Sequence, residues 1–250
     1  MPVAPPAGSV TDRIVALWAD PLTRPAGVLH VVAVGRAAGG GLGVIRIGPG
    51  APASRTDRFA LSVARARADV IVSTGRILRE EASLVHDPGS EARAWRRGVL
   101  GKPDEPVLAI LTRGAGLPLE HPALRRARVL VGVPRAAAAG LSAALGRRDA
   151  RVVGLEDASL RGWVAELRRR GFRTVCVEAG PSTATSLYED PLAVDELMLS
   201  IFEEHALPDR LNAGPFLAPG ALGERFGAPR SEILRSETSG RWRFCRYARR

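Results

Sequence analysis

The stretch from residue 171 to 201 constrains the fold more than any other part of this 250-residue chain. Its pattern predicts a buried strand at 173–178, a turn of small residues at 179–184, a helix, and a second strand at 196–201. Gly180 tolerates backbone angles that other residues avoid, and Pro181 suits the first position of a helix. Such a turn lets an anion approach the positive end of a helix, although an ordinary strand–helix turn is the alternative.

Further apolar runs alternate with helical patterns along the chain. Strands are predicted at 28–34, 44–47, 69–72, 107–111, 128–133, 151–154, 232–234 and 242–244, and helices at 55–68, 77–84, 135–145 and 160–170. This alternation predicts an α/β fold with a mainly parallel central sheet, flanking helices and antiparallel C-terminal edge strands. Residues 1–27 are expected to form a Pro-rich tail with one short helical pattern, and residues 28–250 a single domain.

The net charge of +10 indicates an anionic ligand or nucleic acid. Lys102 is the only lysine, so the charge is almost entirely arginine, as codon bias in a GC-rich genome produces. Aromatic residues make up only 5% of the chain and are not interleaved with basic residues, which argues against base stacking. A small-molecule ligand is therefore favoured over nucleic acid, and salt-sensitive RNA binding stays the alternative.

Several other classes of protein are disfavoured by the residues present. The two cysteines and four histidines have no metal-ligand spacing, so no metal site is predicted. The N-terminal prolines interrupt any signal peptide, and no run of 18 apolar residues occurs. We therefore expect a cytoplasmic protein with no membrane partner.

Polar and glycine residues follow three of the predicted strands. These are Ser73-Thr74-Gly75-Arg76, Thr112-Arg113-Gly114 and the run 179–184. In an open α/β sheet, ligands bind beyond the carboxyl ends of the strands, so the three turns predict one shared site for a dinucleotide. The usual Rossmann and P-loop spacings are absent from the sequence, which indicates a different binding route.

The segment Val177 to Ala184, followed by Val194-Asp195-Glu196-Leu197, resembles the RibD C-terminal domain family. That family comprises the NADPH-dependent pyrimidine reductases of riboflavin biosynthesis. The resemblance implies a dihydrofolate-reductase-like fold, a homodimer, and hydride transfer from NADPH to a small heterocycle such as a ribosylamino-pyrimidine.

Alignment with the family assigns a role to individual residues. It implies that Arg65 and Glu178 bind the substrate, with Glu178 as the catalytic candidate that orients the substrate or handles its proton. The alternative for Glu178 is a structural carboxylate that accepts backbone N–H bonds. Cofactor contacts are implied for Ala33, Arg76, Glu80, Thr112, Gly180, Pro181, Ser182, Thr183, Ala184, Thr185 and Ser186.

Two departures from the family pattern concern the substrate site. The Ser-Leu-Asp-Gly run that normally ends the first strand reads Val34-Gly35-Arg36-Ala37, so a base replaces an acid. The arginine expected after the third strand to grip a ribose phosphate is also missing from residues 81–87. A catalytically inactive nucleotide-binding relative is therefore the alternative to an active reductase.

Overall fold

The computed structural model describes residues 8–146 and 149–249, which contain a twisted sheet of eleven strands. The strands are β1 (Gly27–Ala37), β2 (Leu42–Ile45), β3 (Val70–Thr74), β4 (Val107–Leu111), β5 (Val129–Pro134), β6 (Ala150–Leu155), β7 (Thr174–Val177), β8 (Glu196–Leu207), β9 (Asn212–Pro215), β10 (Ser231–Glu237) and β11 (Gly240–Ala248).

The strand order is β10-β11-β8-β1-β7-β3-β4-β5-β6, and β2 and β9 extend the sheet beside the end of β1. All neighbours from β8 to β6 are parallel, whereas β11 is antiparallel to both β8 and β10. This confirms the predicted mainly parallel sheet with antiparallel C-terminal edge strands. Every residue of β3 and β4 is buried because helices cover both faces of the sheet there.

Eight α-helices pack on the sheet within the described residues. They are α1 (Val10–Trp18), α2 (Arg55–Arg67), α3 (Gly75–Glu80), α4 (Ser90–Gly98), α5 (Ala138–Leu145), α6 (Leu160–Arg169), α7 (Pro181–Ala184) and α8 (Pro219–Phe226). Side chains of α1, α2, α4 and α5 form the core on one face of the sheet, and those of α6 and α8 contribute to the core on the other face. None of these helices is long and apolar enough to span a membrane.

The predicted N-terminal tail contributes to the core. The helical pattern near Ile14 is present as α1, and the side chains of Ile14, Leu17 and Trp18 are buried. From Gly8 onward this segment therefore belongs to the same packed body as the sheet, whereas residues 1–7 lie outside the described residues.

Two segments for which the sequence predicts no helix or strand contain regular structure. The charged stretch 93–106 lies partly in α4, where Trp95 and Arg96 are buried. Arg96 fits there because its guanidinium donates to the carbonyl of Ala66 at 2.7 Å and also to that of Ala68. The stretch after residue 201 continues β8 to Leu207 and then contains β9 and α8.

A buried ion pair joins α2 to the centre of the sheet. Glu196, at the start of β8, accepts hydrogen bonds from Arg67 Nη1 at 2.6 Å and Nη2 at 3.0 Å, and from Arg246 Nε at 3.1 Å. Burial alone would raise the pKa of Glu196, but the two guanidinium groups outweigh burial and hold that pKa below its usual value. The Asp-Glu pair of the sequence therefore has a structural role at this position.

Replacing Arg67 by methionine should lower the free energy of unfolding by about 3–5 kcal/mol, because Glu196 loses one of its two buried counter-ions. Urea denaturation at pH 7 measures the change. The exposed pair of Arg135 with Glu156 provides the control, since Arg135→Met should cost less than about 1 kcal/mol. Equal losses of unfolding free energy in the two variants would contradict the stabilising role assigned to the buried Arg67–Glu196 pair.

Candidate active site

The three predicted turns meet at one edge of the sheet. Because β3, β4 and β7 are parallel neighbours, their carboxyl ends lie side by side, with Thr74 opposite Leu111 and Val72 opposite Val177. The turns after β3 and β4 touch directly: a Cβ atom on Gly75 would lie only 2.8 Å from Thr112 Oγ1. Only glycine fits this position without a shift of its neighbour.

The turn after β7 has open space in front of its backbone. Gly180 has a φ of −62° and a ψ of 159°, which any residue adopts, so the unusual angles expected for this glycine are not used. A Cβ atom on Gly180 would instead have nothing within 4 Å. The next residue, Pro181, packs against Gly214, where an added Cβ atom would lie 3.2 Å from Pro181 Cγ, so β9 supports the turn.

The hydroxyl groups of this turn fall into two sets. Thr185 Oγ1 donates to the carbonyl of Pro181 at 2.8 Å, and Ser186 Oγ donates to that of Thr183 at 3.1 Å. These two side chains therefore stabilise the turn itself. Ser182 is exposed and Thr183 is partly exposed, so their hydroxyls are accessible to a ligand.

The remaining predicted cofactor residues lie along the same edge. Arg76 Nε donates to Glu80 Oε1 at 2.7 Å across one turn of α3, and both side chains are more than half exposed. Thr112 Oγ1 accepts the N–H of Gly114 at 3.2 Å. Ala33 lies in β1, the strand next to β7, three residues beyond His30, which pairs with the last residue of β7.

The structure brings the two predicted substrate residues together. Arg65 Nε donates to Glu178 Oε1 at 2.8 Å and Arg65 Nη2 donates to Glu178 Oε2 at 2.6 Å. Each side chain is about one-tenth exposed, so the fork-like pair is almost enclosed but accessible at its rim. It lies immediately before the open turn at Gly180.

The charge of Glu178 is fixed by this contact. Burial would raise the pKa of its carboxyl, but the Arg65 guanidinium outweighs burial and holds the pKa below its usual value. Glu178 is therefore a carboxylate at neutral pH. This favours the orienting role over proton donation.

The segment 81–87, where the sequence departs from the family pattern, contacts the pair, since Arg65 Nη1 donates to the carbonyl of Asp87 at 3.2 Å. Burial, reinforced by the charge of Glu178, raises the pKa of Glu81. His86 is fully buried, and burial lowers its pKa to about 4. Neither ring nitrogen of His86 has a hydrogen-bond partner among the described residues. The only signal in the sequence was the departure of this segment from the family pattern.

Comparison with known proteins shows the family and the fold of the chain. Residues 43–202 match the model of the RibD C-terminal domain. The chain belongs to the RibD C-terminal domain family. This confirms the resemblance seen in the Glu178–Ala184 segment. A separate comparison with curated proteins gives no significant match.

Solved structures show the same fold for this RibD-type chain. A pyrimidine reductase-like protein from Corynebacterium diphtheriae is 17% identical, with a TM-score of 0.64 over 96% of this chain and 98% of its own. RibD of Acinetobacter baumannii is 15% identical, with a TM-score of 0.57 over 92% of this chain and 60% of its own length. The riboflavin biosynthesis reductase of Saccharomyces cerevisiae is 14% identical, with a TM-score of 0.50 over 88% and 89%. The predicted dihydrofolate-reductase-like fold is confirmed.

The Arg65–Glu178 ion pair predicts a measurable coupling between the pKa of Glu178 and the stability of the protein. Arg65→Met should raise the pKa of Glu178 and lower the free energy of unfolding at pH 7 by about 3–5 kcal/mol, because a buried carboxylate loses its partner. Carbon-13 NMR of glutamate carboxyl groups measures the pKa, and urea denaturation measures stability. The double variant Arg65→Met/Glu178→Gln should recover part of the lost free energy of unfolding, because the glutamine carries no charge. A double variant no more stable than Arg65→Met would contradict the assignment of Arg65 as the counter-ion of Glu178.

Proposed function

We propose that the protein is an NADPH-dependent reductase that transfers a hydride to a small heterocyclic substrate, with a ribosylamino-pyrimidine as the first candidate. The observation that carries the proposal is the Arg65–Glu178 pair directly before an open glycine turn at a strand end. Family membership supports it, as do the names of two relatives with this fold, a pyrimidine reductase-like protein and a riboflavin biosynthesis reductase.

The residues of the strand-end edge fit a dinucleotide. Neighbouring strands are about 4.8 Å apart, so an extended ligand is able to cross the ends of β7, β3 and β4 in succession. The open space at Gly180 and the accessible hydroxyls of Ser182 and Thr183 suit the pyrophosphate. The Ser73 hydroxyl, at the end of β3, is buried without a partner among the described residues, which is consistent with a polar ligand at this edge.

The exposed guanidinium of Arg76 supports NADPH over NADH. Its pair with Glu80 is at the surface, where such a contact contributes less than about 1 kcal/mol, so the guanidinium is able to turn toward a phosphate at little cost. An arginine near the adenosine ribose is the common way to accommodate a 2′-phosphate. When bound, the cofactor supplies the hydride, and the protein supplies alignment and exclusion of water.

Glu178 and Arg65 then act on the substrate. The ionised Glu178 accepts hydrogen bonds from substrate hydroxyl or amino groups, and Arg65 fixes the direction of its two oxygens. Because the pair is held within the protein before any ligand binds, the substrate does not have to order these side chains.

An inactive nucleotide-binding relative remains the second candidate, because Arg36 occupies the place of the family's acid. Arg36 is exposed in β1 opposite Leu42, so it does not replace the lost carboxyl function. The two candidates differ in one observable: both bind NADPH, and only the reductase oxidises it when substrate is present.

Gly180→Asp should abolish NADPH binding and leave the fold intact, because the new carboxylate fills the space offered to the pyrophosphate. At one hundred times its dissociation constant, NADPH should stabilise the wild type by about 2.7 kcal/mol, measured by urea denaturation with and without cofactor. Gly98→Asp is the matched control, since a Cβ atom there also has nothing within 4 Å. Gly98 ends α4, whose Arg96 binds the carbonyl of Ala68 just before the start of β3, whereas the proposed site lies beyond the end of that strand.

The outcomes separate the candidates. If NADPH stabilises Gly98→Asp but not Gly180→Asp, the result supports a cofactor site at Gly180. A wild-type protein that NADPH does not stabilise would refute this site. NADPH oxidation with a ribosylamino-pyrimidine 5′-phosphate then supports the reductase, whereas saturable binding without oxidation of NADPH supports the inactive relative.

A further inference from the structure

A cavity of about 310 Å³ lies where three segments that are far apart in the sequence meet. They are the loop just before α2, the end of β8 with the turn that follows it, and the turn between β10 and β11. The volume is that of a small ligand pocket. None of the residues assigned above to the cofactor or to the substrate lines this cavity.

The cavity is separated from the candidate active site along the strands. Phe202, which lines the cavity, lies opposite Gly35 of β1. Val177, at the end of β7, lies opposite His30 of the same strand. The two levels are five residues apart along β1, which corresponds to about 16 Å of extended chain. A small ligand in this cavity is therefore distinct from one bound at the end of β7.

The walls of the cavity are tied together across the chain. Ser239 lines the cavity, and its Oγ donates to the carbonyl of Ala53 at 2.7 Å. Glu237, at the end of β10, accepts the N–H of Arg55 at 2.7 Å and that of Thr56 at 3.2 Å, so its carboxylate caps α2. The hairpin of β10 and β11 thus holds the loop before α2 in place. Because these contacts exist without a ligand, a ligand does not have to order the walls.

The floor of the cavity is apolar. Phe202, Leu207 and Leu211 line it, and each of them is at most 5% exposed. The ring of Phe202 packs against that of Trp242, with centroids 5.3 Å apart, and makes a T-shaped contact with the ring of His205 at 4.9 Å. Aromatic rings favour tilted and T-shaped contacts of this kind, so a small flat apolar group suits this floor.

Arg210 supplies a cationic group at the rim of the cavity. Its Nη1 donates to the carbonyl of Pro49 at 3.2 Å, and its guanidinium lies beside Gly50, where an added Cβ atom would be 3.4 Å from Nη2. Among the residues that the structure describes, this guanidinium forms no ion pair and no acidic side chain lines the cavity. Its fork of N–H groups is thus available to a carboxylate or a phosphate.

We propose that this cavity is a second binding site of the protein, which takes a small flat apolar molecule that carries one carboxylate or phosphate group. The anionic group binds the Arg210 guanidinium, and the apolar body covers the floor at Phe202. His205, at the rim, offers an imidazole N–H to the same anionic group. The inference does not rest on the proposed function, because it uses neither the Arg65–Glu178 pair nor the turn at Gly180.

The indole groups of the four tryptophans provide the readout. Trp242 Nε1 donates to Ser239 Oγ at 3.0 Å, so its N–H resonance reports on the wall of the cavity. In proton–nitrogen-15 NMR spectra of the whole protein, benzoate should shift the Trp242 indole signal in a saturable way. The indole signals of Trp18, Trp95 and Trp163, which do not line the cavity, should stay unchanged.

Three further probes separate the parts of the ligand. Benzamide has the ring without the charge, and acetate has the charge without the ring, so each should bind at least about tenfold more weakly than benzoate. Phenyl phosphate has both parts, and the tighter of benzoate and phenyl phosphate identifies the anionic group that the site prefers. Benzamide or acetate that binds as tightly as benzoate would contradict the proposed ligand class.

Arg210→Met should raise the dissociation constant of benzoate at least about tenfold, because a charge-assisted hydrogen bond is lost. Arg241→Met is the matched control, since Arg241 is exposed and lies two residues beyond Ser239 but does not line the cavity. It removes the same charge and should leave the dissociation constant within about twofold of the wild type. Equal weakening in the two variants would show attraction by net charge and would overturn the site.

His205→Glu tests the site without removing Arg210. The new carboxylate at the rim should repel benzoate and raise its dissociation constant at least about tenfold, with no loss of affinity for benzamide. Ala206→Glu adds the same charge at the next residue, which is exposed and does not line the cavity, and should have a smaller effect.

The position of the site is tested with a variant of the proposed cofactor turn. Gly180→Asp should bind benzoate as the wild type does, because the two places are separate. Loss of benzoate binding in Gly180→Asp would place the ligand at the strand-end edge and would overturn the inference. A wild type in which neither benzoate nor phenyl phosphate shifts the Trp242 indole signal would overturn it as well.

Discussion

Two arginines, two residues apart near the end of α2, hold the sheet and the candidate site in one arrangement. Arg67 neutralises Glu196 at the start of β8, and Arg65 neutralises Glu178 at the end of β7. Both carboxylates are nearly enclosed, so neither tolerates the loss of its guanidinium without the full desolvation cost of a buried charge. The position of α2 on the sheet is thus tied to the geometry of the site, because the same helix turn supplies both contacts.

Two carboxyl groups of the candidate site have surroundings that act in opposite directions. The Arg65 guanidinium lowers the pKa of Glu178, whereas burial and the charge of Glu178 raise the pKa of Glu81. Such divergence separates an ionised, orienting group from a group that holds its proton to higher pH.

The sequence predicted the alternation of strands and helices and the strand-end turns, because apolar runs and small residues are local signals. It could not predict that Arg65 and Glu178 meet, since 113 residues separate them and only the sheet order joins them. The sequence also indicated unusual backbone angles at Gly180. The structure shows ordinary angles there, and the room around a Cβ atom is what distinguishes the position. The pairs Ser9/Asp12 and Ser54/Asp57 have the same helix-cap spacing in the sequence. Only the tertiary position of Glu237, which accepts the first N–H groups of α2, distinguishes the two caps.

The cap of α2 has a consequence for the order of events during synthesis. Glu237 reaches Arg55 across 182 residues of chain, so the first turn of the helix is completed by a segment that is synthesised much later than the helix itself. Contacts of such long sequence separation form late, after loop-closure entropy has been overcome by the rest of the sheet. A nascent chain that already contains β1, α2 and the Gly180 turn therefore still lacks the carboxylate that caps α2. The first turn of this helix is completed only when the C-terminal hairpin joins the edge of the sheet.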